Sequence, residues 1–408
     1  MSESKKDRVA GPLSRKGGAS APRRRVWNID EEKRHWYRGI AQKAHEAKRR
    51  GRAEPCARPA HEINVPGLRP EALMPVMPPS GLTCLSLFCG GGGLDIGFEA
   101  AGFVHAACYE ILPQVAGSLS LNRPSWAVYG GESGDVTRQI WGQFSGIDVM
   151  VGGPPCQPYS QAGQQHGKSD VRDMIPTYVQ AIKAVSPAAF VLENVPALLH
   201  EKFRGHLDAE LMRPLDGAYH LHVFTLDAAW FGVPQARRRA FIIGFRSRSH
   251  FDRFTKPRPT HRLPFAKPDL VTPPLFGEPA DALPVCMGAR QSLGLPEIGF
   301  DALAPTIRSG MTGPRYTTSV VSGQASQRRW TELQVWPHGV NRTRAGAQLF
   351  PTPNGYFRLS VPDCAVLQGF PGDWRFPSQA YLALGIIGNS VCPPVAYNLA
   401  KAIRRAFG

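Results

Sequence analysis

The feature that most constrains the fold is an alternation of short apolar runs with amphipathic stretches between residues 81 and 245. The apolar runs have the length of buried strands, and two of the stretches between them have the period of a helix. Strand–helix–strand units of this kind form mainly parallel sheets with helices on both faces, and they bind ligands at the carboxyl ends of the strands. The sequence therefore predicts an α/β fold. The predicted strands are 82–88, 104–110, 147–153, 188–194, 220–228 and 239–245, and the predicted helices are 93–101 and 174–185.

The rest of the chain divides by composition. With 408 residues, 42% of them hydrophobic, the chain can form one large domain with an insertion, or two to three domains. From 247 to 355 the pattern gives way to Pro, Gly, Arg and Thr, and a structureless loop of that length is improbable in a compact domain. We predict a smaller second domain there. The full division is a basic, partly disordered extension at 1–80, a first catalytic part at 81–246, the second domain at 247–355, and a completing segment at 356–408 that ends in a helix.

The charge distribution points to an anionic partner. The net charge is +16, and residues 1–60 hold 17 Lys and Arg against 7 Asp and Glu, which is most of the excess. A basic chain favours nucleic acid or phosphate. The basic extension is either a solvated tail, with a polar helix near 31–50, or a non-specific clamp on a DNA backbone.

Cysteine usage and hydropathy indicate the compartment. The eight cysteines include no Cys-x-x-Cys pair and no clustered histidine, so the sequence predicts neither a metal site nor a disulfide framework. The N-terminus lacks the apolar stretch of a secretory signal. The longest uncharged stretch, 377–400, is interrupted by glycines and prolines, so no membrane span is predicted. We expect a cytoplasmic monomer without metal.

A glycine turn at 90–93, in LSLFCGGGGLDIGF, joins the first strand to the first helix. Glycine lets such a turn adopt positive φ and approach a ligand closely. The spacing departs from G-x-G-x-x-G, since Asp95 or Ile96 stands at the third position. Glu110, at the end of the next strand, suits the two hydroxyls of a ribose, and Asp135 suits an adenine amino group. The turn favours S-adenosylmethionine over NAD, and a purely structural turn stays open.

Three further side chains fall at the predicted strand ends. Cys156, in GGPPCQPYS, stands in a turn that three prolines hold rigid, so its thiol has a fixed direction. A thiolate nucleophile needs positive charge nearby, and Arg237 and Arg239 point the same way in an extended segment whereas Arg238 points oppositely. Glu193, in FVLENV, can act as a proton donor if its pocket raises the pKa of the carboxyl. Nucleophile, acid and guanidinium together indicate covalent chemistry on a planar substrate.

Taken in order, these motifs resemble the DNA cytosine-5 methyltransferases, particularly those of bacterial restriction-modification systems. PCQPYS followed by ENV is highly specific, and the resemblance covers about 81–245 and 355–408. The family often has Glu where Arg238 and Asp363 stand, which puts local ion pairing in doubt rather than activity. The matching stretches are LFCGGGGLDIGF, YE at 110, GDV at 135, GGPPCQPYSQAG, SDVRDM, LENV, GVPQARRRAFIIG, RLSVPDCAVLQGFP and GNSVCPPVA.

The resemblance implies a Rossmann-like methyltransferase domain, a target-recognition domain at 247–355, and S-adenosylmethionine as methyl donor. It implies that Cys156 attacks C6 of a flipped cytosine, that Glu193 protonates N3, and that Arg237 and Arg239 steady the base. The implied cofactor residues are Phe88, Gly90, Gly92, Glu110, Ile111, Asp135, Val136, Pro155, Asn389 and Val391.

The expected substrate is double-stranded DNA, and the expected role is protection of host DNA, with a cognate endonuclease acting at the same site without a stable complex. Methylation of tRNA, a non-catalytic DNA-binding protein and an NAD oxidoreductase are the alternatives. Neither the target sequence nor the existence of the endonuclease can be read from the chain. The predicted DNA contacts are Gln157, Ser160, Gln235, Thr306, Arg308 and Arg315, with Thr312 as a further candidate.

Overall fold

The fold is that of a computed structural model. It describes residues 61–155, 173–264, 283–309, 318–349 and 351–408, together with seven positions between 31 and 49. The chain forms two compact units, Met1–Ala41 and Gln42–Gly408. In the first unit the described positions Glu31, His35, Arg38 and Gly39 are helical. All three sheets and the remaining helices belong to the second unit, to which the following paragraphs refer.

A seven-stranded sheet organises the second unit, in the order β3-β2-β1-β4-β5-β8-β6. The first five of these strands are parallel neighbours, while β8 runs antiparallel to both β5 and β6. All six predicted strands are confirmed to within two residues at either end. The strands of this sheet are β1 Thr83–Leu87, β2 Val104–Glu110, β3 Val128–Gly130, β4 Val149–Gly152, β5 Ala189–Asn194, β6 His220–Asp227 and β8 Arg238–Phe245.

Helices cover both faces of the sheet. The predicted helices at 93–101, 174–185 and 391–407 are confirmed as α1, α3 and α12. The last two begin at a proline in the first turn, where the missing N–H costs nothing. The helices are α1 Gly93–Ala100, α2 Pro113–Asn122, α3 Ile175–Val185, α4 Glu201–Leu207, α5 Arg213–Leu215, α6 Arg248–Arg253, α7 Ala289–Ser292, α8 Gln324–Glu332, α9 Arg344–Gln348, α10 Val361–Gln368, α11 Ala380–Asn389 and α12 Pro393–Phe407.

The two faces of β1 pack against different helices. Leu85 and Leu87 are fully buried in a core with Tyr178 and Ile182 of α3. On the opposite face α1 packs against α12, so closely that a Cβ at Gly97 would lie 2.4 Å from the backbone nitrogen of Tyr397. The alternation of side chains along a strand therefore divides the interior into two layers.

The C-terminal helices form part of this interior. Residues Ala380–Phe407 are long and apolar enough for a membrane span by length and composition, but 72% of the most apolar window is buried within the protein. A mostly buried helix of this kind is typical of a protein core.

Residues 61–80, which the sequence assigns to the extension, pack against the catalytic part. The Asn64 side chain is buried and donates from Nδ2 to the Leu293 carbonyl at 2.9 Å and to Asp363 Oδ1 at 3.0 Å. The Tyr397 hydroxyl donates to the Pro75 carbonyl at 2.7 Å. The folded region thus begins earlier in the chain than the motifs indicate.

Parts of the predicted second domain pair with the catalytic part. Strand β9, Ala304–Pro305, lies parallel to β7, Gln235–Ala236. Further along, β10 Val335–Asn341 and β11 Phe357–Ser360 form a separate two-stranded parallel sheet. The separate recognition domain at 247–355 stays a prediction, because residues 42–408 form one compact unit.

Candidate active site

The glycine turn after β1 lies against the C-terminal segment of the chain. Gly90 and Gly92 have φ values of 56° and 78°, in the left-handed region that glycine adopts without strain, and Phe88 shares this conformation at 52°. A Cβ at Gly93 would lie 2.2 Å from the Val391 carbonyl oxygen. The turn therefore needs glycine both for its backbone angles and for its close approach to residue 391.

Glu110 closes this turn from the end of β2. Its Oε2 accepts a hydrogen bond from the Gly90 nitrogen at 3.0 Å, and its Oε1 accepts one from the Leu112 nitrogen at 2.9 Å. Burial raises the pKa of the carboxyl, and the two backbone hydrogen bonds oppose that rise. A carboxylate has about four acceptor positions, so Glu110 can still accept hydrogen bonds from a ribose.

Asp135 lies five residues beyond the end of β3, near Glu110. A Cβ on the neighbouring Gly134 would lie 2.2 Å from the Glu110 carbonyl oxygen, which brings the two acidic residues together. Hydrogen bonds from the Thr137 hydroxyl at 2.7 Å and its backbone nitrogen at 2.9 Å lower the pKa of Asp135. The carboxylate is thereby held ionised and oriented.

The other predicted cofactor residues surround the same turn. Ile111 is 57% exposed and presents apolar surface beside Glu110, while Val136 is buried. Asn389 and Pro155 are exposed, and Val391 is buried against the glycine turn. The structure thus places these positions after the carboxyl ends of β1, β2, β3 and β4 and on the segment that packs against the glycine turn.

Glu193 forms the centre of the second half of the site, next to the end of β5. The residue is only 7% exposed, and its Oε1 lies 3.0 Å from Arg239 Nε on the antiparallel strand β8. Burial raises the pKa of the carboxyl, opposed by the positive charges of Arg239 and Arg237. The arrangement favours a carboxyl that can carry a proton at higher pH than usual.

The turn that leads to Cys156 lies beside Glu193. A Cβ at Gly153 would lie 3.0 Å from Glu193 Oε2, and Asn194 Nδ2 donates to the Pro154 carbonyl at 3.2 Å. The Tyr178 hydroxyl adds bonds to the carbonyls of β4 and β5, at 3.2 and 2.8 Å. Cys156 itself lies outside the described residues, one position beyond Pro155.

The two predicted arginines make different contacts. Arg239 pairs with Glu193, whereas Arg237 is 2% exposed and donates from Nη2 to the carbonyls of Gly388 at 2.9 Å and Ser390 at 2.8 Å. The two therefore act on different groups, and the alternation argument misses this because β7 ends at Ala236 and β8 begins at Arg238. Arg238, between them, is exposed.

The structure adds residues that sequence reasoning missed. Gln368 Nε2 donates to the Ser390 carbonyl at 2.7 Å, and Asn194 ties its strand to the turn before Cys156. Both stand inside motifs already noted, QGFP and ENV, but no pattern in the sequence indicates which partners their amides find. Asp363, where the family often has Glu, is fully buried, caps α10, and lies 2.8 Å from Arg344 Nε.

Gln235, a predicted DNA contact, is bonded within the protein interior in this structure. It is fully buried, its amide nitrogen donates to the Leu367 carbonyl at 3.0 Å and to Gln368 Oε1 at 2.9 Å, and its oxygen accepts from the Ile307 nitrogen at 3.1 Å. A side chain with these partners has no free polar atom for DNA in this structure.

The remaining predicted DNA contacts are only partly described. Thr306 donates from its hydroxyl to the Ala236 carbonyl at 2.5 Å, and Arg308 is half-buried next to it in the chain. A Cβ at Gly388 would lie 2.4 Å from the Ser309 nitrogen, so this segment contacts the residues that Arg237 binds. Outside the described residues lie Gln157, Ser160, Thr312 and Arg315.

Comparison with known proteins identifies the family of this chain. Residues 82–275 and 299–405 match the family described as C-5 cytosine-specific DNA methylase. The type II methyltransferase M.NgoMIV of Neisseria gonorrhoeae is 32% identical over 332 residues, covering 80% of this chain and 98% of that protein. M.NaeI of Lentzea aerocolonigenes is 30% identical over 333 residues, covering 80% and 75%. The solved structure of the S. pombe Dnmt2 methyltransferase, 17% identical, aligns with 79% of this chain and 98% of its own at a TM-score of 0.49. The family match confirms the resemblance inferred from the motifs.

Proposed function

The chain belongs to the C-5 cytosine-specific DNA methylase family, and from this premise we propose that it methylates cytosine in double-stranded DNA through a covalent bond to Cys156. The observation that carries this proposal is the buried Glu193–Arg239 pair, at 3.0 Å, beside the turn that leads to position 156. A raised carboxyl pKa and an adjacent guanidinium are what protonation of a pyrimidine nitrogen next to a nucleophile requires.

The residues around the glycine turn fit S-adenosylmethionine. Glu110 offers acceptors for a ribose, Asp135 is held ionised, and exposed Ile111 offers apolar surface for an adenine ring. The turn departs from the G-x-G-x-x-G spacing that seats the pyrophosphate of NAD at a helix N-terminus, since Asp95 or Ile96 stands where the third glycine would be, and this favours S-adenosylmethionine. When bound, S-adenosylmethionine supplies an electrophilic methyl group on a sulfonium.

The first step of the proposed reaction makes C5 of the cytosine ring nucleophilic. The thiolate of Cys156 forms a bond to C6 of cytosine while the Glu193 carboxyl delivers its proton to N3, so the electron pair of the C5–C6 double bond becomes available at C5. C5 takes the methyl group. Loss of the C5 proton to a base then re-forms the double bond, expels the Cys156 thiolate, and returns the N3 proton to Glu193.

Arg239 has a positioning role in this scheme. Its Nε holds Glu193 Oε1, which fixes the direction of the carboxyl and leaves Oε2, on the Gly153 side, for the base. Arg237 acts further out by holding the carbonyls of Gly388 and Ser390, the segment that carries Asn389. Both guanidiniums also add positive charge around Glu193.

Access to the base requires that it leave the duplex. C5 and C6 lie within the stacked helix, so the target cytosine has to be flipped out at a cost of a few kcal/mol, which contacts to the phosphates and the opposite strand must offset. Thr306, Arg308 and Arg315 are proposed contacts, together with Gln157 and Ser160 beside the nucleophile. Since the relatives above are type II methyltransferases, we further propose a cytoplasmic protein that protects DNA from an endonuclease.

Trapping with a fluorinated base tests the nucleophile. Duplex DNA carrying 5-fluorocytosine at the target should become covalently attached to the wild-type chain in the presence of S-adenosylmethionine, because fluorine at C5 cannot leave as a proton does. Cys156→Ala should give no adduct and no methyl transfer but should still bind DNA. Cys56→Ser is the matched control, since it removes a thiol outside the family match and should trap normally. An adduct with Cys156→Ala refutes the nucleophile assignment.

The substrate class is tested in parallel. Transfer of labelled methyl groups to duplex DNA and to tRNA should show DNA as the preferred substrate, and bisulfite sequencing of host DNA should then give the target sequence. A preference for tRNA would show that the substrate is RNA and not DNA, and it would leave the proposed covalent mechanism unchanged.

A further inference from the structure

A cluster of metal-binding side chains lies beneath α1, on the face of the sheet away from α3. Asp95, His105 and Cys108 each offer one ligand atom, and these atoms all lie within 4.8 Å of one another. His105 Nε2 is 3.2 Å from Asp95 Oδ1, and Cys108 Sγ is 3.9 Å from the same oxygen. The set combines nitrogen, oxygen and sulfur, which is the ligand chemistry that zinc prefers.

A β-bulge brings these residues together. His105 and Cys108 are three residues apart on β2, and in a regular strand they would point to opposite faces. In the register with β1, His105 pairs with Cys84 but Ala107 pairs with Leu85, so Ala106 is the extra residue. The bulge turns His105 to the face of Cys108, where Asp95 of α1 lies above both. This is why no spacing pattern in the sequence indicates the cluster.

The cluster contains buried polar atoms whose hydrogen bonds are missing. The side chains of Asp95 and His105 are 0% and 1% exposed. Among the described residues, Asp95 Oδ2, His105 Nδ1 and the nearby Ser86 Oγ have no hydrogen-bond partner. His105 Nε2 and Asp95 Oδ1 are close, but they do not meet in hydrogen-bonding geometry. Buried polar atoms without partners are rare, and an ion or water is a common cause.

The distances agree with ligands that converge on one ion. Zinc bonds of about 2.0 Å to nitrogen and oxygen and about 2.3 Å to sulfur place tetrahedral ligand atoms roughly 3.3 to 3.6 Å apart. The observed separations of 3.2 and 3.9 Å lie on either side of that range. The Cys89 thiol, hydrogen-bonded to Cys108, is a candidate for the fourth position.

We propose that Asp95, His105 and Cys108 bind a structural zinc ion, contrary to the expectation of a metal-free protein. The ion would join the helix that follows the glycine turn to the strand that ends in Glu110. Binding replaces the Cys108 thiol proton, which passes to solvent. Metal binding should therefore release a proton at neutral pH.

Metal content and cobalt spectroscopy test the proposal without any measurement of methyl transfer. The full chain, unfolded with a chelator and refolded with Zn²⁺, should retain one ion per chain after desalting. With Co²⁺ it should show a thiolate-to-cobalt charge-transfer band. Cys108→Ser should lose that band, and its dissociation constant for Zn²⁺ should rise by more than about 100-fold. Loss of a residue that only hydrogen-bonds to a metal ligand typically costs about 10- to 100-fold. Cys364→Ser, which also removes a buried thiol, should behave as wild type.

Two results would overturn the site. One is a folded wild-type chain that retains no Zn²⁺ and shows no cobalt band. The other is Cys108→Ser binding metal as tightly as Cys364→Ser. If Cys108→Ser does not fold, the cobalt spectrum of the wild type and the thermal stability of His105→Gln test the site instead. Zinc should raise the melting temperature of the wild type and not that of His105→Gln. Failure here leaves the trapping experiment at Cys156 unaffected.

Discussion

Two buried carboxylates in this protein have opposite surroundings. Glu193 lies next to the carboxyl end of β5, 3.0 Å from the permanently charged Arg239. Asp95 lies inside, 3.2 Å from His105, and keeps one oxygen without a partner among the described residues. An ionised group away from water needs a compensating charge or hydrogen bonds. The protein supplies this to Glu193 from its own chain, whereas the proposed zinc ion would supply it to Asp95.

Of these substitutions, replacement of Glu193 should have the largest effect. Glu193→Gln keeps the size of the side chain but has no proton to deliver to N3. We expect the single-turnover rate of methyl transfer to fall by about 10²- to 10⁴-fold, the usual contribution of a general acid. DNA affinity should change little, and circular dichroism should report an intact fold. Full activity in Glu193→Gln would show that the carboxyl does not donate the proton.

Buried Arg237 and its exposed neighbour Arg238 should differ in what each contributes to stability. Arg237→Met removes two hydrogen bonds from a buried guanidinium to the carbonyls of Gly388 and Ser390, and we expect a loss of about 3 kcal/mol in unfolding free energy. Urea denaturation measures this. The exposed neighbour provides the control, since Arg238→Met should change stability by less than about 0.5 kcal/mol. Equal effects at both positions would contradict the structural role of Arg237.

A third buried carboxylate, Glu110, tests the cofactor half of the site. Glu110→Gln retains acceptor capacity on one oxygen only and loses the charge that the Gly90 and Leu112 nitrogens face. We expect the dissociation constant for S-adenosylmethionine to rise by about 10- to 100-fold, as for one lost charge-assisted hydrogen bond. Calorimetry measures this directly. An unchanged constant would place the ribose elsewhere.

On the Asp95 side a small substitution should stabilise the protein. Ser86 Oγ is buried without a hydrogen-bond partner among the described residues, so Ser86→Ala removes an uncompensated polar atom. We expect unfolding free energy to rise by about 1 kcal/mol. Ser360→Ala is the comparison, because Ser360 caps α10 and its loss should cost about 1 kcal/mol. A destabilised Ser86→Ala would mean that this hydroxyl has a partner, such as water or the proposed ion's shell.

The pH dependence of stability should show the smallest effect. Burial raises the native pKa of Glu193 above its ordinary value of 4.5, so the native state binds its proton more tightly than the unfolded state does. The stabilisation is present below pH 4.5 and is lost as pH rises through the native pKa. The unfolding free energy of the wild type, relative to Glu193→Gln, should therefore decrease from low to neutral pH. A difference that increases with pH would mean that Arg239 outweighs burial.

The strands and the glycine turn could be predicted because their causes are local. Strands buried on both faces are near-continuous apolar runs, and Ala189–Asn194, buried throughout, was predicted to within one residue. A turn that needs positive φ has to carry glycine, as at Gly90 and Gly92. The motif order was enough to identify the family, since PCQPYS and ENV are highly specific.

Other features depend on contacts between distant parts of the chain. The burial of Gln235 depends on Leu367 and Gln368, more than 130 positions away. The bulge at Ala106 depends on the register between β1 and β2, and the packing of residues 61–80 depends on Leu293 and Asp363. No local pattern contains these partners.

Residue order and spacing thus account for the fold class, the chemistry of the strand ends and the family. They suffice there because apolar period, turn conformation and motif spacing act over a few residues. The sequence does not determine the partner of each polar side chain. In the structure Arg239 pairs with Glu193, Arg237 donates to the carbonyls of Gly388 and Ser390, and Asp95 lies close to His105 and Cys108. The tertiary structure determines these pairs, because a buried polar atom can bond only to the groups that the packing of the sheet and helices places within hydrogen-bonding distance.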